Sequence, residues 1–481
     1  MEFNMQSILI ILLPFLFLFM FLKSLTISKS ASGYAHIPGP KPLPLNGNLH
    51  LMLRAAAPHR LFRDLAAAHG PLMHLQLGEL HLLIVSSAEF ASQVTKTHDT
   101  NFANRPAMLA TEELAYNSSG IIFSSYGDYW RQLRKICTVE LLSGRRGSTV
   151  DLSERLYMSS YDVTVRAAVK AKTKERKVMI SILMECIKLG SGFMMADLYP
   201  SIKLLPLITG ARFKIRGIRR KLDEVLDGII EQHRAAAKAA DDGDDATKFE
   251  GFLDILLKFE KDGTSTIDNV KAVLLDIFIA GTDTSATTIE WAMSELIRNP
   301  SKLNKAQQEV RMVSDNKGSY IDEDKFDEMK YLKSIIKETL RLHPPAPLLV
   351  PRVNSQRCVS NGYEIPAKTR VIVNAWALGR DPEYWNDPEK FIPERFEENS
   401  IDFNGSNLEY IPFGAGRRMC AGMLLGQANM ELPLAMLLYH FDWEIPNGMK
   451  AEELDMTEGF GASTVHRKHP LRLIPIVKRP L

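Results

Sequence analysis

The residues best suited to chemistry lie in Phe413-Gly414-Ala415-Gly416-Arg417-Arg418-Met419-Cys420-Ala421-Gly422. Glycines 414, 416 and 422 let the backbone turn tightly and approach a bulky partner closely. A helical pattern runs from Ala421 to Tyr439, so Cys420 stands at a helix start. Amide donors and the positive helix end favour a thiolate there. A thiolate is a soft metal ligand, and Arg418 can pair with a carboxylate on the same ligand. A glycine-rich turn carrying a buried structural cysteine is the competing reading.

Three further groups carry spacing of interest. Ala280-Gly281-Thr282-Asp283-Thr284-Ser285 falls in the middle of a long helical pattern, 267–299. Gly281 weakens that helix by about 1 kcal/mol relative to Ala, and threonine hydroxyls bond back to a helix and bend it. A helix that is weak and polar at its centre implies something lying against it; a mild kink in a core helix is the alternative. Trp130 and Arg134 share a face of a basic helix, and by itself this favours an exposed helix with one buried Trp. Glu338 and Arg341, three apart, also share a face, and a surface ion pair there contributes under about 1 kcal/mol.

Phe413-x-x-Gly416-x-Arg418-x-Cys420-x-Gly422 resembles the haem-binding signature of the cytochromes P450, the haem-thiolate monooxygenases. The resemblance covers nearly the whole chain, and in detail it is to the plant A-type group. It implies a mainly helical fold with a minor β portion around one haem b. It implies Cys420 as the thiolate axial ligand, with Phe413, Gly416, Arg418 and Gly422 around the cofactor. Trp130 and Arg134 would meet a haem propionate. Asp283 and Thr284 would be the acid and alcohol that serve oxygen activation. Glu338 and Arg341 would be buried with Arg395 of Pro393-Glu394-Arg395-Phe396, a structural rather than catalytic lock. No nucleotide-binding glycine motif is present, so electrons would come from a membrane-bound NADPH–cytochrome P450 reductase. Arg131, Arg134 and Lys135 would contribute to its docking face. A haem-thiolate isomerase or dehydratase, or an inactive haem protein, are the other readings; the intact Asp283-Thr284 pair speaks against the first.

The rest of the chain must position these groups. Its 481 residues are 45% hydrophobic and 24% charged, ample for a large core. A net charge of +2 gives no sign of a nucleic-acid partner. None of the four cysteines (Cys137, Cys186, Cys358, Cys420) forms a Cys-x-x-Cys pair, which leaves no disulfide framework or zinc site indicated. The histidines lack metal-type spacing; His466 and His469, beside Arg467 and Lys468, read as surface residues.

Residues 8–22 are apolar, short of the ~20 needed to span a bilayer but extended by their flanks. A cleaved signal peptide is the alternative, but the basic side follows the run, so the positive-inside rule favours a retained single-pass anchor, 1–28, with the remainder in the cytosol; the expected membrane is the endoplasmic reticulum. The alternate prolines Pro38, Pro40, Pro42 and Pro44 make 29–46 a stiff hinge, and 47–481 is the catalytic domain.

Alternation over 71–86 predicts a hairpin, 350–376 predicts strands and turns, and helices are expected over 59–69, 213–240 and 327–342. Asp268 is the expected N-cap of the long helix, and Pro300 follows its end. After Leu142 the chain departs from the family pattern, with about one helix missing.

The resemblance implies that Ile121–Phe123, Ile279–Ala280, Leu348–Val350 and Phe460 border the pocket, and these stretches are mainly aliphatic. An apolar pocket favours an apolar ligand. Together with a resemblance of 196–201 to terpenoid-oxidising members, this predicts a terpenoid substrate, with phenolics, flavonoids or alkaloids as alternatives.

Overall fold

The computed structural model describes residues 34, 36–44, 46–54, 57–99, 101–106, 108, 152–169, 176–189, 194–241, 251–315, 326–397, 400–459 and 464–479. The anchor, the Trp130–Lys135 helix, residues 143–151 at the start of the departure from the family pattern, Ile121–Phe123 and Phe460 lie outside them; two helices, 152–169 and 176–189, are described within the departing stretch.

The described helices of eight or more residues are α1 (Pro58–His69), α2 (Leu152–Val169), α3 (Arg176–Leu189), α4 (Ala211–Asp241), α5 (Phe252–Lys261), α6 (Ile267–Arg298), α7 (Pro300–Asp315), α8 (Lys330–Leu342) and α9 (Met423–His440). The hairpin of β1 (Leu72–Leu77) and β2 (Leu80–Val85) joins β3 (Arg352–Val353) and β6 (Arg370–Val373) in a sheet of order β1-β2-β6-β3. The β2–β6 pair is parallel and the other two are antiparallel. Two small antiparallel pairs complete the β portion: β4 (Cys358–Ser360) with β5 (Tyr363–Ile365), and β7 (Phe441–Glu444) with β8 (Ile474–Val477). The expected strand run ends early: Asn374 accepts from the Ala377 amide and caps a short helix, Ala375–Leu378, that contains Trp376.

The start of α6 corrects one expectation. Thr266, not Asp268, is the N-cap. Its hydroxyl accepts from the Asn269 amide at 3.2 Å, and Asn269 Oδ1 accepts from the Thr266 amide at 3.0 Å. This reciprocal capping box satisfies two donors that the helix leaves open. Asp268 instead lies in the first turn, where its charge complements the helix dipole.

Helix α6 belongs to two apolar cores. Residues 270–278 pack with α2, α3, α4 and α5, whereas 286–297 pack with α7, α8 and α9. Between the two halves, Ala280 is exposed, and Ile279, Gly281 and Thr284 are half-buried. Among the described residues α6 is the one helix long and apolar enough to cross a membrane, but 78% of its apolar window is buried inside the fold. It is a core helix.

Candidate functional site

The cysteine loop is built from backbone demands. Gly414 and Gly416 have φ of 73° and 68°, in the left-handed region that favours glycine. A Cβ on Gly416 would stand 1.9 Å from the Thr95 carbonyl oxygen, so no other residue fits there. The Cys420 amide donates to the Phe413 carbonyl at 2.9 Å and closes the loop just ahead of α9. Arg418 is buried and donates from Nε to the Ala103 carbonyl at 2.7 Å.

Two residues that the sequence reading passed over also hold this loop. Arg352 donates from Nη2 to the Ala415 carbonyl at 3.0 Å, and Asp99 Oδ2 accepts from the Arg417 amide at 2.9 Å. Arg352 and Asp99 bond each other at 3.3 Å. Burial draws the Arg352 pKa down, and the Asp99 charge offsets part of that. Arg352 follows Pro351 at the start of β3 and belongs to no motif, so nothing in its spacing marked it.

The described cysteines differ sharply. Cys186 lies in the apolar core, where burial pushes its thiol up to about 12. Cys358 is half-buried and also raised by burial. Cys420 is exposed. A raised pKa opposes the thiolate a metal needs. Cys137 lies outside the described residues.

On α6, what lies against the weak centre is α2. A Cβ on Gly281 would meet Thr164 Oγ1 at 2.7 Å and Cγ2 at 2.8 Å. Ser160 of α2 donates to the Gly281 carbonyl at 3.1 Å. Thr284 donates to the Ala280 carbonyl at 2.6 Å, the back-bond expected of a helical threonine.

Asp283 is buried, with its Oδ1 accepting a hydrogen bond from Tyr157 of α2. Its Oδ2 is buried and makes no hydrogen bond. Burial first, and then the Asp283 charge, hold the Tyr157 pKa well above its usual value. His466 joins this group, contrary to its reading as a surface residue. Its Nδ1 lies 3.0 Å from Tyr157 Oη and 2.9 Å from Thr287 Oγ1, and its Nε2 lies 3.4 Å from Asp283 Oδ1.

Glu338 and Arg341 are not a surface pair. Both side chains are fully buried and bond bidentately, at 2.7 and 2.8 Å. Arg395 Nε donates to Glu338 Oε1 at 3.1 Å. Arg341 also donates to the carbonyls of Gly379, Pro388 and Lys390, tying α8 to the segment that carries Arg395.

Of the pocket stretches, Leu349 is half-buried beside Gly414 and adopts a positive φ of 51°. Val350 is half-buried too, but Leu348 packs into the apolar cluster under the sheet. Leu348 therefore lines no open face.

These residues fit a haem. An accessible sulfur precedes a helix, the flanking glycine admits no side chain, a buried arginine stands two residues away, and the middle of a core helix is left open. The comparisons with known proteins agree. The family described as Cytochrome P450 matches residues 37–187 and 145–471. Premnaspirodiene oxygenase of Hyoscyamus muticus is 46% identical over 460 residues, covering 90% of each chain. Germacrene A hydroxylase of Barnadesia spinosa is 46% identical over 456 residues, 89% of this chain and 90% of its own. Desmethyl-deoxy-podophyllotoxin synthase of Sinopodophyllum hexandrum is 48% identical over 462 residues, 90% of each. A zebra fish cytochrome P450 solved with progesterone shares the fold at a TM-score of 0.72, with 24% identity over 88% of this chain and 100% of that one.

The chain belongs to the cytochrome P450 family. It is a haem-thiolate monooxygenase, an oxidoreductase that uses O2, a hydrophobic small molecule and a redox partner. The second family match begins at residue 145, within the stretch where the sequence departs from the pattern.

Proposed function

We propose that this monooxygenase hydroxylates, or oxidises further, a terpenoid hydrocarbon or a lightly oxygenated terpenoid. The observation that carries this reading is the aliphatic character of the open faces: Ile279 and Ala280 on α6, and Leu349 beside the cysteine loop. Apolar ligand surface gains about 25 cal/mol per Å² on burial against such residues. Each unpaired hydroxyl of a phenolic or glycosylated ligand costs about 1–3 kcal/mol there. The relatives named premnaspirodiene oxygenase, germacrene A hydroxylase and salviol synthase support the same class.

In this reading Cys420 would supply the thiolate that holds the haem, Arg418 would pair with one of its carboxylates, and Phe413, Gly416 and Gly422 would shape the cradle. Trp130 and Arg134, outside the described residues, would add contacts to the haem carboxylates if the resemblance extends to them. The redox chemistry of O–O cleavage belongs to the haem when bound. Thr284 holds a hydrogen bond at the open stretch of α6, and Asp283 passes protons inward to it. Glu338, Arg341 and Arg395 lock the structure behind the cysteine loop.

Residues 1–28 anchor the chain in the endoplasmic reticulum membrane, 29–46 form the hinge, and 47–481 are the cytosolic catalytic domain. NADPH–cytochrome P450 reductase supplies the electrons. The test is turnover in microsomes with added reductase, offering sesquiterpenes and diterpenes beside flavonoids and alkaloid precursors. Preferred turnover of a terpenoid is expected. Turnover of a flavonoid with no terpenoid product would overturn the substrate class.

A further inference from the structure

A polar cluster at the middle of α6, Asp283–Tyr157–Thr287–His466, runs from a buried carboxylate to a partly exposed ring. Asp283 is 3% exposed at its side chain, while His466 is 31% exposed. His466 is held in place from both sides. The Val465 carbonyl accepts from Trp291 Nε1 of α6 at 3.0 Å, and the Val465 amide donates to the Pro345 carbonyl at 3.1 Å. Arg467 is buried, bonds Ser294 of α6 and donates to the Asp455 carbonyl at 2.7 Å. The His466 carbonyl accepts from the Gly459 amide at 2.8 Å. With both flanks tied down, the imidazole is presented to Asp283 by the backbone and does not wave in solvent.

Other titratable or charged groups around the ring leave it this task. Tyr157 comes from α2, and Asp283 and Glu290 come from α6. Glu290 is engaged by Ser153 at 2.6 Å. Glu458, Arg467 and Lys468 come from the ring's own segment, where Glu458 is bound to His59 and Arg60 at 2.9 Å. Asp283 Oδ1 is therefore approached by Tyr157 and His466, while Oδ2 is buried without a hydrogen-bond partner.

We propose that His466 is the solvent-side positioning residue of the oxygen-activating pair, taking protons from water and passing them to Asp283 through the Tyr157 hydroxyl. The inference rests on the reading of Asp283 and Thr284 as the proton-delivering pair. The step balances without an outside reactant. Tyr157 Oη gives its proton to Asp283 Oδ1 and takes one from Nδ1 of the imidazolium. A neutral ring and a carboxylic acid remain, and a hydronium ion from the solvent reprotonates the ring and leaves water. Histidine is suited to this because its two nitrogens can gain and lose a proton at cellular pH.

The test uses the full chain with reductase, with germacrene A as the probe terpenoid and a second arm without added substrate. NADPH oxidation, the share of its electrons recovered as peroxide, and the solvent isotope effect are measured. His466→Gln is expected to slow oxidation by about tenfold, below the roughly 10²–10⁴-fold of a direct acid or base. The peroxide share and the isotope effect rise, with KM unchanged. Tyr157→Phe moves the same way by a smaller factor, because the ring still reaches Oδ1, and it serves if the first variant does not fold. His466→Gln added to Asp283→Asn produces no further loss. Retention of the thiolate spectrum of the reduced carbon monoxide adduct marks each variant as folded. Unchanged peroxide share and isotope effect in His466→Gln and Tyr157→Phe, with Asp283→Asn and Thr284→Ala still impaired, would overturn the inference alone. Unimpaired Asp283→Asn and Thr284→Ala would overturn the underlying reading, and the inference with it.

Discussion

Two buried carboxylates in this fold are handled in opposite ways. Glu338 is enclosed by fixed cations and amides: Arg341 bidentately, Arg395, and the Ile392 amide at 2.7 Å. Asp283 is enclosed by groups that can both give and take a proton, and one of them reaches water. An arginine does not exchange its proton in a protein, so the first cluster can only hold. The second can hold and also conduct. If Asp283 delivers protons as proposed, burial alone does not separate a structural acid from a working one; the chemistry of its partners does.

The largest effect should come from breaking the closed cluster. Glu338→Ala leaves two buried or nearly buried guanidinium groups without their partner, which costs about 3–5 kcal/mol. Thermal unfolding and haem retention should both collapse, while any folded remainder keeps its coupling. If the variant were as stable as the parent, the contrast between the two clusters would fail.

The open cluster should respond in function, not in folding. Thr284→Ala removes the hydroxyl that would receive protons from Asp283. Product per NADPH should fall by on the order of tenfold while NADPH consumption persists and the melting temperature barely moves. Unchanged product yield per NADPH would remove Thr284 from proton delivery.

A third polar group, on the sheet, sharpens the comparison through pH. His74 of β1 lies 2.9 Å from His81 of β2, with Tyr34 stacked 4.6 Å from each ring. Burial, and then the neighbouring His81, bring the His74 pKa from 6.5 to about 3. The folded chain keeps this ring neutral while the unfolded chain binds its proton more readily. Stability from this site is therefore full above pH 6.5 and declines as pH falls toward 3. Urea midpoints at pH 7 and pH 5 should drop less in His74→Gln than in the parent. An equal drop would show that the ring titrates normally in the fold.

The long helix, the hairpin and the cysteine loop were legible because their signals are local. Glycines at fixed offsets, a 3.6-residue apolar period and a terminal proline each act within a few residues. The N-cap was misplaced by two residues because Thr266 and Asn269 cooperate, whereas Asp268 looked adequate alone. His466 was misread for a different reason. It lies among Arg467, Lys468 and His469, a charged string that resembles a solvated loop. Its burial comes from α2 and α6, over a hundred residues away in sequence, and no period in the segment records that. Asp99 and Arg352 escaped notice in the same way, since their partner is the backbone of the cysteine loop.

The central claim is that Cys420 alone supplies the thiolate of a haem monooxygenase. Its most direct test is the spectrum of the reduced carbon monoxide adduct in Cys420→Ala, set beside Cys137→Ala, Cys186→Ala and Cys358→Ala. The thiolate-type spectrum should disappear in Cys420→Ala and survive in the other three. A thiolate-type spectrum that persists in Cys420→Ala, and is lost instead with one of the others, would contradict it.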